Sequence, residues 1–257
     1  MKESLQDYLD FARETAFLAG RLTLGYYQTG INPEFKSDNS PVTVADREAE
    51  SLIRRRIETH YPQHSIVGEE FGENAVAGSE HRWFIDPIDG TKSFVRGVPL
   101  YAVLIGLEIA GQVEVGVAYY PALDEMLAAA TGAGCWWNGR RAHVSAMTTM
   151  KQAVVTTTDL ANFAEYNRAE AWERIQKAVH YRTGWGDAYG YLLVATGRVE
   201  LMLDPAMSAW DCAPFPPILK EAGGYFGDWQ GNPTIYAGES IATSATLLPE
   251  VLALIAG

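Results

Sequence analysis

Apolar residues recur first at helical spacing. Leu5, Leu9, Ala12, Ala16, Ala19 and Thr23 fall at intervals that keep them on one face, which predicts an amphipathic helix from residue 5 to about residue 27. Asn32-Pro33 and Asp38-Asn39-Ser40-Pro41 interrupt the pattern and predict a loop or tight hairpin. The period resumes behind Thr43, with Asp46 three residues on as a helix-start signal and Ala45, Ala49, Leu52, Ile53, Arg56 and Ile57 forming one buried face. Tyr61-Pro62 ends that helix. Residues 65–68 then read as a short strand ahead of Glu69-Glu70, and Trp83-Phe84-Ile85 as a buried strand that Pro87 should stop.

From Tyr101 the character changes. Residues 101–109 and 113–120 are rich in β-formers and are separated by Ala110-Gly111-Gln112, a hairpin signal. Residues 126–130 and 134–137 add two strands, followed by Asn138-Gly139, which favours a type I′ turn. These consecutive strands predict one large antiparallel sheet. Beyond about Lys151 the pattern becomes α/β: strand 154–157, helices 165–179 and 187–196, strand 199–203, helix 210–222 closed by Gly223-Gly224, strand 241–243 and helix 247–255. Pro214, Pro216 and Pro217 threaten a kink in the helix after Asp211. There is no repeat, low-complexity tract or obvious linker.

Composition narrows the class. The chain has 257 residues, 47% hydrophobic and 20% charged, as in an ordinary globular protein with a substantial core. No apolar run reaches bilayer-spanning length, and the polar, acidic start is unlike a secretory signal, so a cytoplasmic protein without membrane contact is expected. A net charge of −12 argues against nucleic acid, which calls for a basic stripe. Cys135 and Cys212 lack ligand spacing and read as reduced packing residues, and the five histidines form no i, i+4 zinc pair. Any metal here should be held by oxygen.

The chemistry concentrates in Trp83-Phe84-Ile85-Asp86-Pro87-Ile88-Asp89-Gly90-Thr91. An apolar strand runs into two carboxylates, and Gly90 permits close backbone approach to a ligand. Two hard oxygen donors beside N–H groups suit a divalent cation that holds a phosphate. A bare pair of this spacing is more commonly an Asx-rich surface turn. Upstream, Glu69-Glu70 closes a short strand; downstream, Asp211 in Trp210-Asp211-Cys212-Ala213-Pro214 opens a helical segment, where an acid is ordinarily a cap.

Taken together and in this order, these segments resemble the inositol monophosphatase superfamily of metal-dependent, lithium-sensitive phosphatases. One family signature corresponds to residues 83–91 and the other to residues 210–224. Lys36-Ser37-Asp38 and Thr43-Val44-Ala45-Asp46 extend the likeness over nearly the whole chain. The resemblance implies an α/β (α+β) fold: a layered αβαβα sandwich of the inositol monophosphatase / fructose-1,6-bisphosphatase type. It would form a single domain over 1–257, with the active site between halves of about 1–150 and 151–257. It further implies two to three Mg2+ ions per site. Glu69, Asp86 and the carbonyl of Ile88 would hold one ion, Asp86, Asp89 and Asp211 a second, and Glu69 with waters a weaker third. Thr91 and Asp46 would orient and deprotonate the attacking water, with Glu70 assisting, and the N–H groups of Gly90 and Thr91 would bind phosphate. No Cys, Ser or His arrangement suggests a phosphoenzyme, so water attacks directly. A small phosphorylated substrate and a homodimer are also implied.

Substrate choice should lie in Tyr181-Arg182-Thr183-Gly184-Trp185-Gly186-Asp187-Ala188-Tyr189-Gly190-Tyr191. An acid framed by aromatics favours a cation; alternatively, Asp187 caps the following helix and the aromatics are core. With Asp204-Pro205, this stretch resembles the histidinol-phosphatase branch, whose substrate carries an ammonium and an imidazole. On that likeness Asp187 would face those groups, with Asp204, Arg182 and Trp185 completing the pocket. An inositol monophosphatase or a broad-specificity phosphatase is the alternative, and a non-catalytic binding or regulatory protein on the same fold a remote one.

Overall fold

Ser4 and Asp7 form a capping box that opens α1 (Leu5–Tyr26), whose buried side includes Leu9, Ala12, Ala16 and Ala19. The structure, a computed structural model, describes residues 3–37 and 40–257, so Asp38 and Asn39 of the anticipated turn lie outside it. A two-stranded hairpin, β1 (Glu34–Phe35) and β2 (Pro41–Val42), leads to α2 (Val44–His60), again opened by a capping box, here Thr43 with Asp46.

The first large sheet contains β3 (Ser65–Gly68), β4 (Gly72–Asn74), β5 (His81–Asp89), β6 (Ala102–Ile109), β7 (Gln112–Tyr120), β8 (Glu125–Ala130), β9 (Gly134–Trp137) and β10 (Arg140–Arg141), with the short helix α3 (Thr91–Val95) after β5. Its order is β10-β9-β8-β7-β6-β5-β3-β4. In this sheet β3 and β5 pair in parallel, while the other neighbours pair antiparallel. Both predicted hairpin turns form: Ala110-Gly111 and Asn138-Gly139 have positive φ throughout, as type I′ turns require.

The second half supplies β11 (Val154–Thr156), α4 (Leu160–Glu165), α5 (Ala169–Ala178), β12 (Tyr181–Thr183), α6 (Asp187–Ala195), β13 (Leu201–Asp204), α7 (Ala209–Cys212), α8 (Phe215–Glu221), β14 (Gly224–Gly227), β15 (Ser240–Ser244) and α9 (Leu248–Ala256). The sheet order is β12-β11-β13-β15-β14. Residues of α1 and α2 pack with Trp83, Ile85, Val103, Ile105 and Val117 on one face of the large sheet. The opposite face, with Leu104 and Ala118, meets Tyr191 and Leu192 of α6 and Phe215 and Ile218 of α8, which also touch Met202 and Ala242 of the second sheet. Ile175 of α5 and Val251 of α9 cover that sheet's far side. The layers run α-β-α-β-α. Strand β6 is apolar along nearly its whole length because both of its faces are buried.

Several boundaries differ from expectation. Pro87 does not end β5: pairing passes from Asp86↔Leu104 to Asp89↔Ala102 across a bulge. Three steps on β5 against two on β6 leave one extra residue, and the proline occupies that irregularity. The helix expected over 165–179 forms as α5 but starts only at Ala169, and a separate unexpected helix, α4, precedes it across Tyr166-Asn167-Arg168, where Asn167 has φ of 59°. Asp159 caps the earlier one through Ala161 N at 2.9 Å. The helix expected over 210–222 is two helices, α7 and α8, separated at Ala213-Pro214, and Gly224 begins a strand rather than merely closing a helix. Strands β4 and β12 are edge pieces of three residues each, too short to carry a periodic signal.

The kink at Pro214 has a seat. Gly106 and Gly116 face each other across β6 and β7. A Cβ on Gly116 would lie 1.9 Å from the Pro214 carbonyl oxygen, and one on Gly106 would lie 2.7 Å from Ala213 Cβ. The glycine pair makes a trough that admits the α7–α8 joint, and α7 carries Asp211. Cys135 and Cys212 are buried and unpaired.

Candidate active site

The bulge in β5, the start of α7 and the start of α6 converge on one point. Carboxylate oxygens of Asp86, Asp89 and Asp211, one from each, all lie within 4.8 Å of one another. Each acid is tethered through backbone. Asp86 Oδ1 accepts from Ile88 N at 2.9 Å, Asp89 Oδ1 from Ala188 N at 2.6 Å, and Asp211 Oδ2 from Ser208 N at 2.8 Å. The first bond shapes the Pro87 turn; the second places Asp89 at the N-terminus of α6, where the helix dipole favours negative charge. An all-oxygen cluster of this kind could hold a hard divalent cation.

Thr91 Oγ1 lies 3.0 Å from the Ile88 carbonyl oxygen and 3.3 Å from Asp46 Oδ1. The other oxygen of Asp46 accepts from Thr43 N at 2.8 Å and Thr43 Oγ1 at 2.6 Å. Asp46 is therefore a helix-start residue and faces Thr91 at the same time. Lys36 Nζ donates to Glu69 Oε1 and Glu70 Oε1, each at 2.7 Å, bringing both glutamates and the β1–β2 hairpin to this side of the cluster. Gly90 adopts φ of 81°, and a Cβ there would lie 3.0 Å from the Leu100 carbonyl oxygen and 3.3 Å from Asp187 Oδ2. The position therefore requires glycine both for its backbone and for its neighbours.

Beside the cluster is a cavity of about 90 Å³ lined by Asp89, Thr158, Asp187, Tyr191, Asp204, Ala206, Met207 and Asp211. Four of these residues are acids. Asp187 does not cap α6 with its side chain: its N–H donates to Thr158 Oγ1 at 3.0 Å, while Ser93 Oγ reaches Asp187 Oδ2 at 3.4 Å. Trp185 and Asp187 both hold positive φ, 59° and 36°, a backbone cost that such residues tolerate where the surroundings dictate it. Tyr191 stacks on Phe215 at 4.3 Å and shares a 2.5 Å hydrogen bond with Ser240 Oγ, so it is both core and cavity wall. Tyr189 packs edge-on against Tyr120. Arg182 and Trp185 are not drawn into the cavity. Arg182 Nε donates to the Gln176 carbonyl at 2.8 Å, and Trp185 is about half exposed (51%).

Thr158, Ser93 and Met207 belong to this neighbourhood without having been singled out in the sequence. The run Thr156-Thr157-Thr158-Asp159 at the end of a strand was the available signal for the first; Ser93 and Met207 had none.

Charge crowding is severe. Burial, followed by the neighbouring acids, pushes the carboxyls of Asp86 and Asp89 well above the usual carboxylate range. Burial also pushes Asp211 and Asp204 up to about 7 and Asp187 to about 6, against backbone or side-chain hydrogen bonds that act the other way. Asp46 and Glu70 are raised too, chiefly by burial. Burial disfavours the Lys36 ammonium, yet its two glutamate partners outweigh that and raise it. The cluster is thus short of positive charge, and a multivalent cation would relieve it.

This arrangement has clear relatives. The Inositol monophosphatase family pattern matches residues 4–256. A histidinol-phosphatase of Chlorobaculum parvum is 41% identical over 92% of this chain and 91% of its own. Nus factor SuhB of Pasteurella multocida is 32% identical over 95% and 94% of the two chains. Among solved structures, an inositol monophosphatase from Anabaena superposes with a TM-score of 0.87 at 30% identity, covering 98% of this chain and 96% of that one. A mixed α/β fold of this layered type, with an acidic cluster at its centre, defines a phosphatase class. The chain belongs to the inositol monophosphatase family. Among the described residues, no helix is long and apolar enough to cross a membrane.

Proposed function

We propose that the protein is a Mg2+-dependent phosphate monoester hydrolase whose preferred substrate is L-histidinol phosphate, which it converts to L-histidinol and phosphate. The observation that carries the substrate reading is the small cavity in which Asp187 and Asp204 stand beside Asp89 and Asp211. Acids in excess of those a metal cluster needs, in a space of about 90 Å³, favour a leaving group that bears positive charge.

On this reading Asp86, Asp89 and Asp211 would hold one ion; Glu69, Asp86 and the Ile88 carbonyl would hold another, with Glu69 and waters as a weaker third position. With Mg2+ bound, the site gains neutralisation of the phosphoryl oxygens and a water acidified towards neutral pH. Thr91 Oγ1 accepts a hydrogen bond from the attacking water while donating its own proton towards Asp46 Oδ1, 3.3 Å away. Asp46, raised by burial, is suited to receive that proton. Glu70 assists from the Lys36 pair. The N–H groups of Gly90 and Thr91, leading α3, orient the phosphate. Asp187 and Asp204 hold the ammonium and imidazole of histidinol, and Tyr191 and Met207 supply apolar wall. Arg182 and Trp185, which do not line the cavity, have no part in this reading. We further read residues 1–257 as one catalytic domain, acting as a homodimer in the cytoplasm, as the family resemblance implies.

Inositol 1-phosphate hydrolysis is the second reading, favoured by the likeness to the Anabaena enzyme. Phosphate release from L-histidinol phosphate and myo-inositol 1-phosphate, compared at saturating Mg2+, decides between them. A preference of about a hundredfold for the first, or about 2.7 kcal/mol in the transition state, supports the cationic pocket. Equal or greater rates on the second refute it.

A further inference from the structure

Glu50 has no place in the chemistry above, yet it is fully buried. It lies on α2 one turn beyond Asp46, and so on the same helical face. Its carboxylate reaches the tip of the β3–β4 hairpin, where the register Gly68↔Gly72 leaves a three-residue loop, Glu69-Glu70-Phe71. Oε2 accepts from Glu70 N at 2.7 Å and Oε1 from Phe71 N at 3.2 Å. Arg54, one further turn along α2, donates from Nε to Glu50 Oε1 at 2.7 Å and from Nη2 to the Gly72 carbonyl. Its guanidinium also lies over the Phe71 ring. The backbone of the loop is thus gripped from below, while the Glu69 and Glu70 side chains turn towards Lys36 and the acid cluster. The grip leaves no slack: a Cβ on Gly68 would fall 2.1 Å from Glu50 Oε1.

We propose that Glu50 is a positioning residue for cation binding, fixing the Glu69-Glu70 arm to the helix that carries Asp46. It touches neither substrate nor reacting atoms and acts through Glu69 and Glu70. An acid on two consecutive N–H groups of a ligand loop sets where its side chains can reach, and removal of such a support typically costs ten- to a hundredfold in metal affinity. The inference rests on the proposed Mg2+ site.

The test uses the full-length protein and three readouts. In the wild type without metal, the amide hydrogens of Glu70 and Phe71 should exchange slowly, although Phe71 lies on an exposed loop; exchange as fast as in free loops overturns the proposal without any variant. Glu50→Gln and Glu50→Asp, which lose an acceptor and the reach respectively, should weaken calorimetric Mg2+ binding about tenfold or more. Turnover should recover as Mg2+ is raised, with the substrate KM unchanged at saturation. A merely structural role would lower Tm and leave Mg2+ affinity as it was, which would overturn the proposal. Should neither variant fold, the wild-type exchange rates decide alone. A wild type that neither binds Mg2+ nor turns over overturns the site reading and the inference together. A wild type that does both, beside folded variants of undiminished affinity, overturns only the inference.

Discussion

Replacing Asp187 by Asn isolates the charge that the substrate reading depends on. The substitution keeps the shape of the side chain and the backbone bond to Thr158 Oγ1. It removes one negative charge from a cavity of about 90 Å³. An ammonium about 4 Å from a carboxylate, at the effective dielectric of a partly buried site, gains about 4 kcal/mol. Some of that is lost to desolvation, and Asp204 remains to hold the cation, so we expect a net loss of about 2–3 kcal/mol in transition-state binding. That corresponds to a fall of about 30- to 150-fold in kcat/KM for L-histidinol phosphate. Asp187 is also among the charges that raise Asp89, so the variant could disturb the cluster itself. Myo-inositol 1-phosphate, assayed with the same enzyme at saturating Mg2+, controls for this because it offers no cation. Its kcat/KM should change less than threefold. Equal losses on both substrates, or a loss of under threefold on histidinol phosphate, would refute the argument.

Three further outcomes are expected. Asp86→Asn should remove Mg2+ binding measured by calorimetry and lower turnover by at least a thousandfold, since Asp86 stands in both proposed ion positions; undiminished binding would show that Asp86 is not a ligand of either. In the metal-free protein, Asp204 and Asp211 hold protons up to about pH 7, whereas unfolded chains release them near 3.8. Stability is therefore full below about pH 4 and is lost as pH rises towards about 7, at about 1.4 kcal/mol per pH unit for each proton retained by the folded state alone. Thermal scans in chelator should show Tm falling from pH 5.5 to 7.5, with added Mg2+ restoring it most at the higher pH; a flat profile would contradict the charge crowding. Gly116→Ala should cost about 2 kcal/mol or more, because its new methyl meets the Pro214 backbone rather than a side chain that can move. Chemical denaturation checks this, and a loss under about 0.5 kcal/mol would mean that the trough is loose.

The parts of the fold that could be read in advance are those whose signal is local. The face of α1, the β6–β7 and β9–β10 turns and the Thr43 capping box depend on residues within a few positions of one another. Structure and local signal part where a distant partner decides. Pro87 stays within β5 because Ala102 resumes pairing beyond the bulge. The segment around Pro214 breaks because two glycines on other strands make room for it. The site divides the same way. Asp86 and Asp89 stood out because they share one turn, and Asp46, Glu69 and Asp211 through resemblance to a family. Thr158, Met207 and Ser93 carry no local signal: the pairing of β11 with β12 and β13 brings Thr158 and Met207 to Asp187 within the second sheet, and packing of the two halves brings Ser93. Arg182 shares a segment with Asp187, but it lies on an edge strand and spends its guanidinium on the carbonyl of Gln176.

For these acids a structural role does not exclude the proposed functional one. Asp46 and Asp211 each occupy the third position of a helix and each accept a backbone N–H there, as ordinary capping residues do. Asp86 and Asp89 do the same for Ile88 and Ala188. In all four, one oxygen is held by the chain. A charge-assisted bond of this kind contributes about 1.5–3 kcal/mol, which offsets part of the cost of burying each carboxylate among the others. For Asp46 the remaining oxygen faces Thr91; for the other three, an oxygen joins the cluster. The anchoring bond therefore makes the acid tolerable when no cation is present and fixes its direction when one arrives. Substitution by alanine would remove anchor and charge together and confound stability with activity. Asparagine can keep the anchor through its carbonyl oxygen, so the difference between the two variants at each position measures how much of the acid's role is to build the turn and how much is to supply charge.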